Sequence, residues 1–256
     1  MKRVHLFEFE DQEWFPNFLR NYMTDFLQFA SNKGNIYNSI VPLLAAQLKR
    51  DKTNVIIDIG SGGGGGLIAL NTELRQEIPD LRIMLTDLYP NKSAFQFTSK
   101  AAENFEFVET PVDARNIPKH LKGLRTQFLS LHHFKPVDAK AILQNAIDSN
   151  SSIAIFEAQE RSIKSIIGML LSPLSVLLLT PFIRPFKWGR LLFTYPIPII
   201  PLFTLWDGIV SVLRTYSVEE MKDLVEQLDG AESYDWNIGK KEAKLGVVLY
   251  LIGAKK

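Results

Sequence analysis

Four groups of residues along this 256-residue chain have types and spacings that suit chemistry on a nucleotide-like ligand. The first is Asp58-Ile59-Gly60-Ser61-Gly62-Gly63-Gly64-Gly65-Gly66, preceded by Val55, Ile56 and Ile57 and followed by an amphipathic stretch from Leu67 to Ile78. A β-branched strand that ends in an acid and glycines and then opens a helix brings bare backbone N–H groups and a helix N-terminus against a ligand. The second group, Thr86-Asp87-Leu88-Tyr89, places an acid at the end of the next strand, about 20 residues beyond the glycines, where such folds bring a carboxylate to ribose hydroxyls. The third runs from Thr110 through Asp113 and Ala114 to Pro118, and the fourth is Leu129-Ser130-Leu131-His132-His133-Phe134. An imidazole exchanges a proton near neutral pH, so His132 and His133 are candidate general bases; the plainer reading is a ring that packs and holds its loop. Glu157 ends a further strand on the rim where ligands of open α/β sheets gather, either to meet substrate or to cap or pair a neighbour.

The elements that position these groups alternate along the chain. Phe18, Leu19, Tyr22, Phe26, Phe29 and Ala30 share one side of a 3.6-residue period, and Ile36, Ile40, Leu44 and Leu48 repeat it, which predicts two N-terminal helices over residues 1–51. Strand patterns then follow at 55–57, Arg82 to Asp87, Phe105 to Glu109, Gln127 to Leu131 and Ile153 to Glu157, with a helix on Val137, Ala141, Ile142, Asn145 and Ala146. Such alternation predicts a parallel sheet with helices on both faces. Ser217-Val218-Glu219-Glu220 reads as a capping box opening a helix through Leu228, and strands at Glu232 to Trp236 and Gly246 to Ile252 are close enough for a terminal hairpin. With 46% hydrophobic residues the chain can bury a full core, and one domain with an insertion is expected. The 29 basic and 28 acidic side chains are mixed, so no basic footprint argues for nucleic acid. The absence of cysteine excludes disulfides, thiolate metal sites and cysteine nucleophiles, and no metal is expected. Residues 1–30 carry acids and no continuous apolar core of a signal peptide, which reads as cytoplasmic.

Residues 162–215 break the rhythm. Ser165 to Ile183 is nineteen residues without a charge, flanked by Arg161, Lys164, Arg184, Lys187 and Arg190, and a second uncharged stretch, Leu191 to Trp206, holds Pro196, Pro198 and Pro201. The first run has the length to span a bilayer, for which roughly 20 apolar residues suffice. Pro173 and Pro181 interrupt it, and the second stretch is too proline-rich for a regular helix. The favoured expectation is a hydrophobic cap over a substrate pocket; the alternatives are a segment dipping into the membrane interface and a true span. Trp206 and Asp207 interrupt the apolar stretch and are expected to supply the cap's polar handle to substrate, unless the tryptophan is simply core. Trp14 and Pro16, with Glu8, Glu10 and Asp11 nearby, fasten the N-terminal segment, whose position before the first strand also permits a lid.

Taken in order, Asp58-x-Gly60-x-Gly62-x-Gly64, Asp87, Val112-Asp113-Ala114 and the strand before His132 resemble the successive motifs of class I S-adenosylmethionine-dependent methyltransferases, over residues 52–160 with the elements after Ser217 matching the family's closing ones. Leu124-Arg125-Thr126, His132-His133-Phe134 and Trp206-Asp207-Gly208 resemble a bacterial methyltransferase-like subgroup. The resemblance implies a Rossmann-like, seven-stranded, mostly parallel sheet over 52–256, with the cap inserted after the fifth strand. It implies that Asp58 orients the methionine amino group, that the backbone of Gly60, Ser61 and Gly62 passes the methionyl and ribose portions, and that Asp87 accepts from the ribose hydroxyls with Leu88 against adenine. Asp113 would accept from the adenine amino group, Ala114 would offer a backbone N–H, and Ser130 would lie at the methionine end. The glycine run departs from the pattern by filling every position from 62 to 66, which leaves open which glycines face the cofactor.

Methyl transfer from a sulfonium is an in-line displacement with a neutral leaving group, so positioning supplies much of the acceleration and a base is needed only where the acceptor must lose a proton. The apolar insertion points to a small or medium, lipophilic acceptor. Two other readings stay open: a nicotinamide-dependent oxidoreductase, for which Tyr216 to Lys222 lacks the Tyr-x-x-x-Lys spacing, and a membrane-associated binding protein that keeps the fold without catalysis.

Overall fold

The computed structural model describes residues 1–244 and 246–256. The β-branched run at 55–57 forms an interior strand, β1 (Val55–Ile59), buried along most of its length. Around it lie β2 (Arg82–Thr86), β3 (Phe105–Phe107), β4 (Leu124–Phe128), β5 (Ile153–Glu157), β6 (Tyr234–Ala243) and β7 (Gly246–Lys255), in the order β3-β2-β1-β4-β5-β7-β6. All pairings through β5 are parallel; β7 runs antiparallel to β5 and to β6. This is the expected Rossmann-like sheet of seven strands. The order reverses between β1 and β4, and the crevice beyond the carboxyl ends of those two strands is where open α/β sheets bind ligands.

Helices cover both faces. On one, α2 (Val41–Arg50), α3 (Leu67–Glu77) and α4 (Lys92–Ala101) bury Leu44, Leu48, Leu70, Leu74 and Phe95 against Ile56, Ile83 and Leu85. On the other, α5 (Pro136–Asp148) and a later helix at 218–226 bury Ile142, Leu143, Met221 and Leu224 against Ile59, Ile153 and Ile155. That later helix starts at the expected capping box: Ser217 Oγ accepts from the Glu220 N–H, and the Glu220 carboxylate accepts from the Ser217 N–H at 2.9 Å.

The insertion folds as three short helices, α6 (Ile163–Leu170), α7 (Ser172–Leu179) and α8 (Trp188–Thr194), and a longer one, α9 (Ile199–Arg214); the helix at 218–226 is α10. Against expectation the second uncharged stretch is partly a regular helix, because Pro201 falls in the first turn of α9, where no intrahelical N–H is needed. The first N-terminal helix, α1 (Asn17–Gly34), shares its apolar cluster with them: Phe15, Leu19, Met23 and Phe26 pack with Val176, Ile183 and Ile200. The N-terminal segment is therefore divided, α1 belonging with the insertion and α2 with the sheet core.

Some boundaries differ from expectation. β4 begins at Leu124 and ends at Phe128, three residues ahead of the expected strand, because its centre is a buried polar run, Arg125, Thr126 and Gln127. β6 continues to Ala243 through Lys240, Lys241 and Glu242, since its pairing with β7 holds from Tyr234↔Lys255 to Ala243↔Gly246. Charged residues on such an edge strand discourage further pairing.

Candidate active site

The turn after β1 is locked by its neighbours before any ligand arrives. The Ser61 N–H donates to the Thr86 carbonyl at 2.9 Å and Thr86 Oγ1 donates to the Asp58 carbonyl at 2.8 Å, tying the ends of β1 and β2. Gly62 has φ +53°, a left-handed conformation that disfavours side chains, and its N–H donates to Asp87 Oδ2 at 2.7 Å. A Cβ at Gly62 would meet nothing within 4 Å, so this residue borders free space. The later glycines serve packing: a Cβ at Gly63 would lie 3.0 Å from the Thr24 carbonyl oxygen of α1, and one at Gly66 would lie 2.8 Å from the Tyr37 ring. Asn32 of α1 donates to the Gly65 carbonyl at 2.7 Å and accepts from the Ala69 N–H at 2.8 Å. The glycine run thus answers two demands, a ligand-side turn at 60–62 and close approach of neighbouring elements at Gly63, Gly64 and Gly66, while Gly65 has left-handed backbone and open space.

Asp58 is buried beneath this turn, with Thr126 Oγ1 of β4 donating to its Oδ1 at 2.8 Å. Burial pushes its carboxyl up to about 7, against the pull of the Ser61 and Thr126 hydrogen bonds, and the charge of Asp87 adds to the rise. Across the crevice Ser130 Oγ is buried without a hydrogen-bond partner, 3.3 Å from where a Cβ at Gly60 would stand. The Val112 N–H donates to the Asp87 carbonyl at 2.8 Å, which brings the third loop to the second. There Ala114 is buried, Leu88 is 40% exposed, and Asp113 accepts from the Arg115 N–H, Nε and Nη2. Those bonds hold the Asp113 carboxyl below its ordinary value.

Beyond Ser130 the chain makes one 3-10 turn carrying both histidines. His132 is buried, its Nδ1 is 2.7 Å from Glu157 Oε2, and its N–H donates to Glu157 Oε1 at 3.2 Å. Glu157 is wholly buried and both its oxygens hold His132, so of the two expected roles the structure shows the pairing of a neighbour and not the substrate contact. A carboxylate on Nδ1 selects the tautomer whose Nε2 carries a free lone pair.

His133 has other partners. Its Nδ1 lies 2.8 Å from Asp11 Oδ1 and 3.3 Å from Glu8 Oε2. Burial lowers its affinity for a proton, but the two carboxylates outweigh that and push it up to about 10. Asp11 is correspondingly held far below the ordinary range: burial alone would raise it, and His133 and Arg214 overcome that. Arg214 Nη1 donates to Asp11 Oδ2 at 2.6 Å and lies 3.1 Å from Glu8 Oε1. Glu8, His132 and His133 bring a carboxylate oxygen and ring nitrogens within 4.8 Å of one another, a spacing a cation could use; Arg214 balances that charge already.

Trp206 and Asp207 do not present their polar groups as a handle for substrate. The Trp206 indole N–H donates to the Phe7 carbonyl at 3.0 Å, and Asp207 accepts from the N–H groups of Phe9 at 2.8 Å and Glu10 at 3.1 Å. Together with Arg3, which donates to the Phe134 carbonyl at 2.9 Å, they strap residues 3–11 over the histidine turn. Burial raises the Asp207 carboxyl to about 7 and that of Glu10 to about 8, the latter also through the charge of Asp207. Sequence reasoning placed Glu8 and Asp11 in a fastening segment and Thr126 in a motif, but missed Arg214 and the bond from Thr126 to Asp58. The signal for Arg214 was its place seven residues after Asp207 on an otherwise apolar helix, which puts both charges on one face.

No family description and no curated protein matches the chain by sequence. Solved structures do match by fold. The plantazolicin methyltransferase BpumL, determined in complex with SAH, superposes with a TM-score of 0.54 at 14% identity, over 94% of this chain and 98% of that one. The mitomycin 7-O-methyltransferase MmcR superposes with a TM-score of 0.50 at 16% identity, over 89% of this chain and 56% of that longer one. The chain has the class I methyltransferase fold.

Proposed function

We propose that the chain binds S-adenosylmethionine at the β1–β4 crevice and transfers its methyl group to a small, lipophilic acceptor, with His132 as general base. The observation that carries this reading is a convergence: open space at Gly62, the unpartnered buried hydroxyl of Ser130 and the buried carboxyl of Asp58 meet two residues from a histidine held by a buried carboxylate.

These residues fit the cofactor. Asp58 would meet its ammonium, Ser130 Oγ would gain the partner it lacks, and Asp87, already ordered by the Gly62 and Tyr89 N–H groups, would accept from the ribose hydroxyls. Leu88 would lie along the adenine, and Asp113 and Ala114 would meet its edge. When bound, the cofactor supplies an electrophilic methyl on a sulfonium.

The remaining chemistry belongs to the chain. Glu157 accepts from His132 Nδ1 and keeps the Nε2 lone pair available for a hydroxyl or amine proton, and it stabilises the imidazolium that results. Of the two histidines, His133 already holds a proton at neutral pH between Glu8 and Asp11, which suits it to fastening the strap. The strap, Arg3 and α9 cover His132, which strengthens each electrostatic contact inside. The lipophilic character of the acceptor is supported by the apolar insertion beside the strand ends.

Calorimetric titration with S-adenosylmethionine and, separately, NAD tests the cofactor. Heat with the former alone, lost in Asp87→Ala, is expected; heat only with NAD, or none with either, refutes the assignment. Transfer of labelled methyl into a lipid extract then tests turnover, and an enzyme that binds the cofactor but labels nothing supports the non-catalytic reading.

A further inference from the structure

We infer that the outward face of α6 and α7 is a docking surface for an anionic lipid membrane, on which the protein lies without crossing it. Residues 163–182 are long and apolar enough by composition to span a bilayer, yet almost none of the run is buried. The exposed side chains form one stripe. Ile163, Ile167, Leu170, Leu174 and Leu178 recur at three- and four-residue steps, and they are 68%, 57%, 54%, 55% and 62% exposed. The less exposed side carries Ile166, Met169, Ser172, Val176 and Leu179, with Thr180 in the 3-10 turn that follows α7. Thr180 Oγ1 turns back to the Val176 carbonyl, and Ser172 Oγ is buried without a partner. A row of large apolar side chains left outward inverts the pattern of a helix that faces water.

Charge selects the occupant. Between Glu160 and Asp207 the chain has no acidic residue and five basic ones; Arg161 pairs with Glu220, and Lys187 and Arg190 pair with Asp25, which leaves Lys164 and Arg184. Lys164 and Arg184, at the two ends of the stripe, are exposed. Exposed Phe182, Phe186 and Trp188 follow, aromatic types that favour the bilayer interface. An apolar face with the exposed cations Lys164 and Arg184 at its two ends, neither in an ion pair among the described residues, matches acyl chains beneath anionic headgroups.

Packing argues against a span. Val176 is fully buried in the cluster that holds Phe15, Leu19 and Met23 of the N-terminal segment, and α6 and α7 both lie along α9. Threading 163–182 through a bilayer would strip these contacts and expose the inward hydroxyls to lipid. Delivery of a lipophilic acceptor from the bilayer rests on the methyl-transfer reading; docking itself does not, and vesicle binding is read without turnover.

The test is flotation of the full chain with vesicles of phosphatidylcholine plus phosphatidylglycerol, and with phosphatidylcholine alone. Binding to the mixed vesicles is expected, weakened about fivefold for each surface cation lost, as in Lys164→Glu with Arg184→Glu. The quadruple variant Ile167→Ser, Leu170→Ser, Leu174→Ser, Leu178→Ser should lower binding about tenfold or more per side chain withdrawn from the acyl region, with an unchanged circular dichroism spectrum. Four results overturn the inference: no binding to either vesicle, equal binding by both variants and wild type, bound protein that resists alkaline carbonate as an integral span does, or a dimer that the quadruple variant dissolves in the absence of any vesicle binding.

Discussion

Replacing Asp58 by Asn reads the site through stability before any ligand is known. Asp58 is 2% exposed, and burial holds its carboxyl at about 7, against 3.8 for the free side chain. As pH rises from about 4 to about 7 the unfolded chain releases a proton that the folded chain keeps, so this residue lowers stability by about 1.4 kcal/mol per pH unit, and its effect is level above about 7. The full cost above pH 7 is about 4 kcal/mol. Asn has the same shape and keeps an oxygen for Thr126 Oγ1, which now donates at 2.8 Å, but it does not titrate. The gain in stability from Asp58→Asn should therefore grow with pH. Between pH 5 and pH 8 the gain should increase by about 3 kcal/mol, or about 6–12 °C of melting temperature for a chain of this length. The assay is thermal or urea unfolding of the ligand-free protein and the variant, side by side at unit pH steps. Asp207 and Glu10, raised to about 7 and about 8, titrate in both proteins and cancel in the difference. A gain that is the same at pH 5 and pH 8, or a loss at both, would refute the claim that Asp58 is held as a strained, desolvated carboxyl.

On the proposed role of Asp58 toward the cofactor ammonium, affinity for S-adenosylhomocysteine, measured by calorimetry, should rise up to about tenfold per unit from pH 5 to pH 7 and then level, and it should be flat in Asp58→Asn. Glu157→Gln places an amide against His132 Nδ1, and turnover should fall about 10²- to 10⁴-fold with cofactor affinity intact; equal turnover would remove His132 as base. His133→Gln should cost stability below pH 7, and the deficit should shrink between about 6.5 and about 10, because a proton held more tightly in the folded state stabilises it until that proton leaves. Arg214→Met strands the carboxylates of Glu8 and Asp11 and should cost about 3–5 kcal/mol, with new protease cleavage within residues 3–15 as the readout of a freed strap.

The parts of the fold that sequence reasoning reached are those whose cause is local. The β-branched run at 55–57, the glycine turn, the acid at 87 and the Ser217 capping box each declare themselves within a few residues. β4 did not, because Arg125, Thr126 and Gln127 look like a surface stretch until a partner is known. Thr126 holds Asp58, and Arg125 donates to Asn145 Oδ1 of α5 at 2.9 Å. The roles of Trp206 and Asp207 were misread for the same reason: their partners, Phe7, Phe9 and Glu10, lie about two hundred residues away in sequence. A buried charge in an apolar helix announces that it has a partner, and composition cannot say whether that partner is a ligand or another part of the chain.

The extra glycines raise the same issue in reverse, and their resolution bears on how the site is enclosed. Gly63 admits α1 and Gly66 admits the Tyr37 ring; Asn32 of α1 reaches the loop at Gly65, and the helix's apolar face packs with Val176 and Ile200 of the insertion. α9 in turn supports α6 and α7, and through Asp207 and Arg214 it ties down the strap above the histidine turn. The outward apolar stripe and the cover over His132 are thus joined through one helix. A force or contact that shifts α9 changes both how the stripe is presented and how tightly the strap is held, since a packed apolar cluster transmits displacement instead of absorbing it.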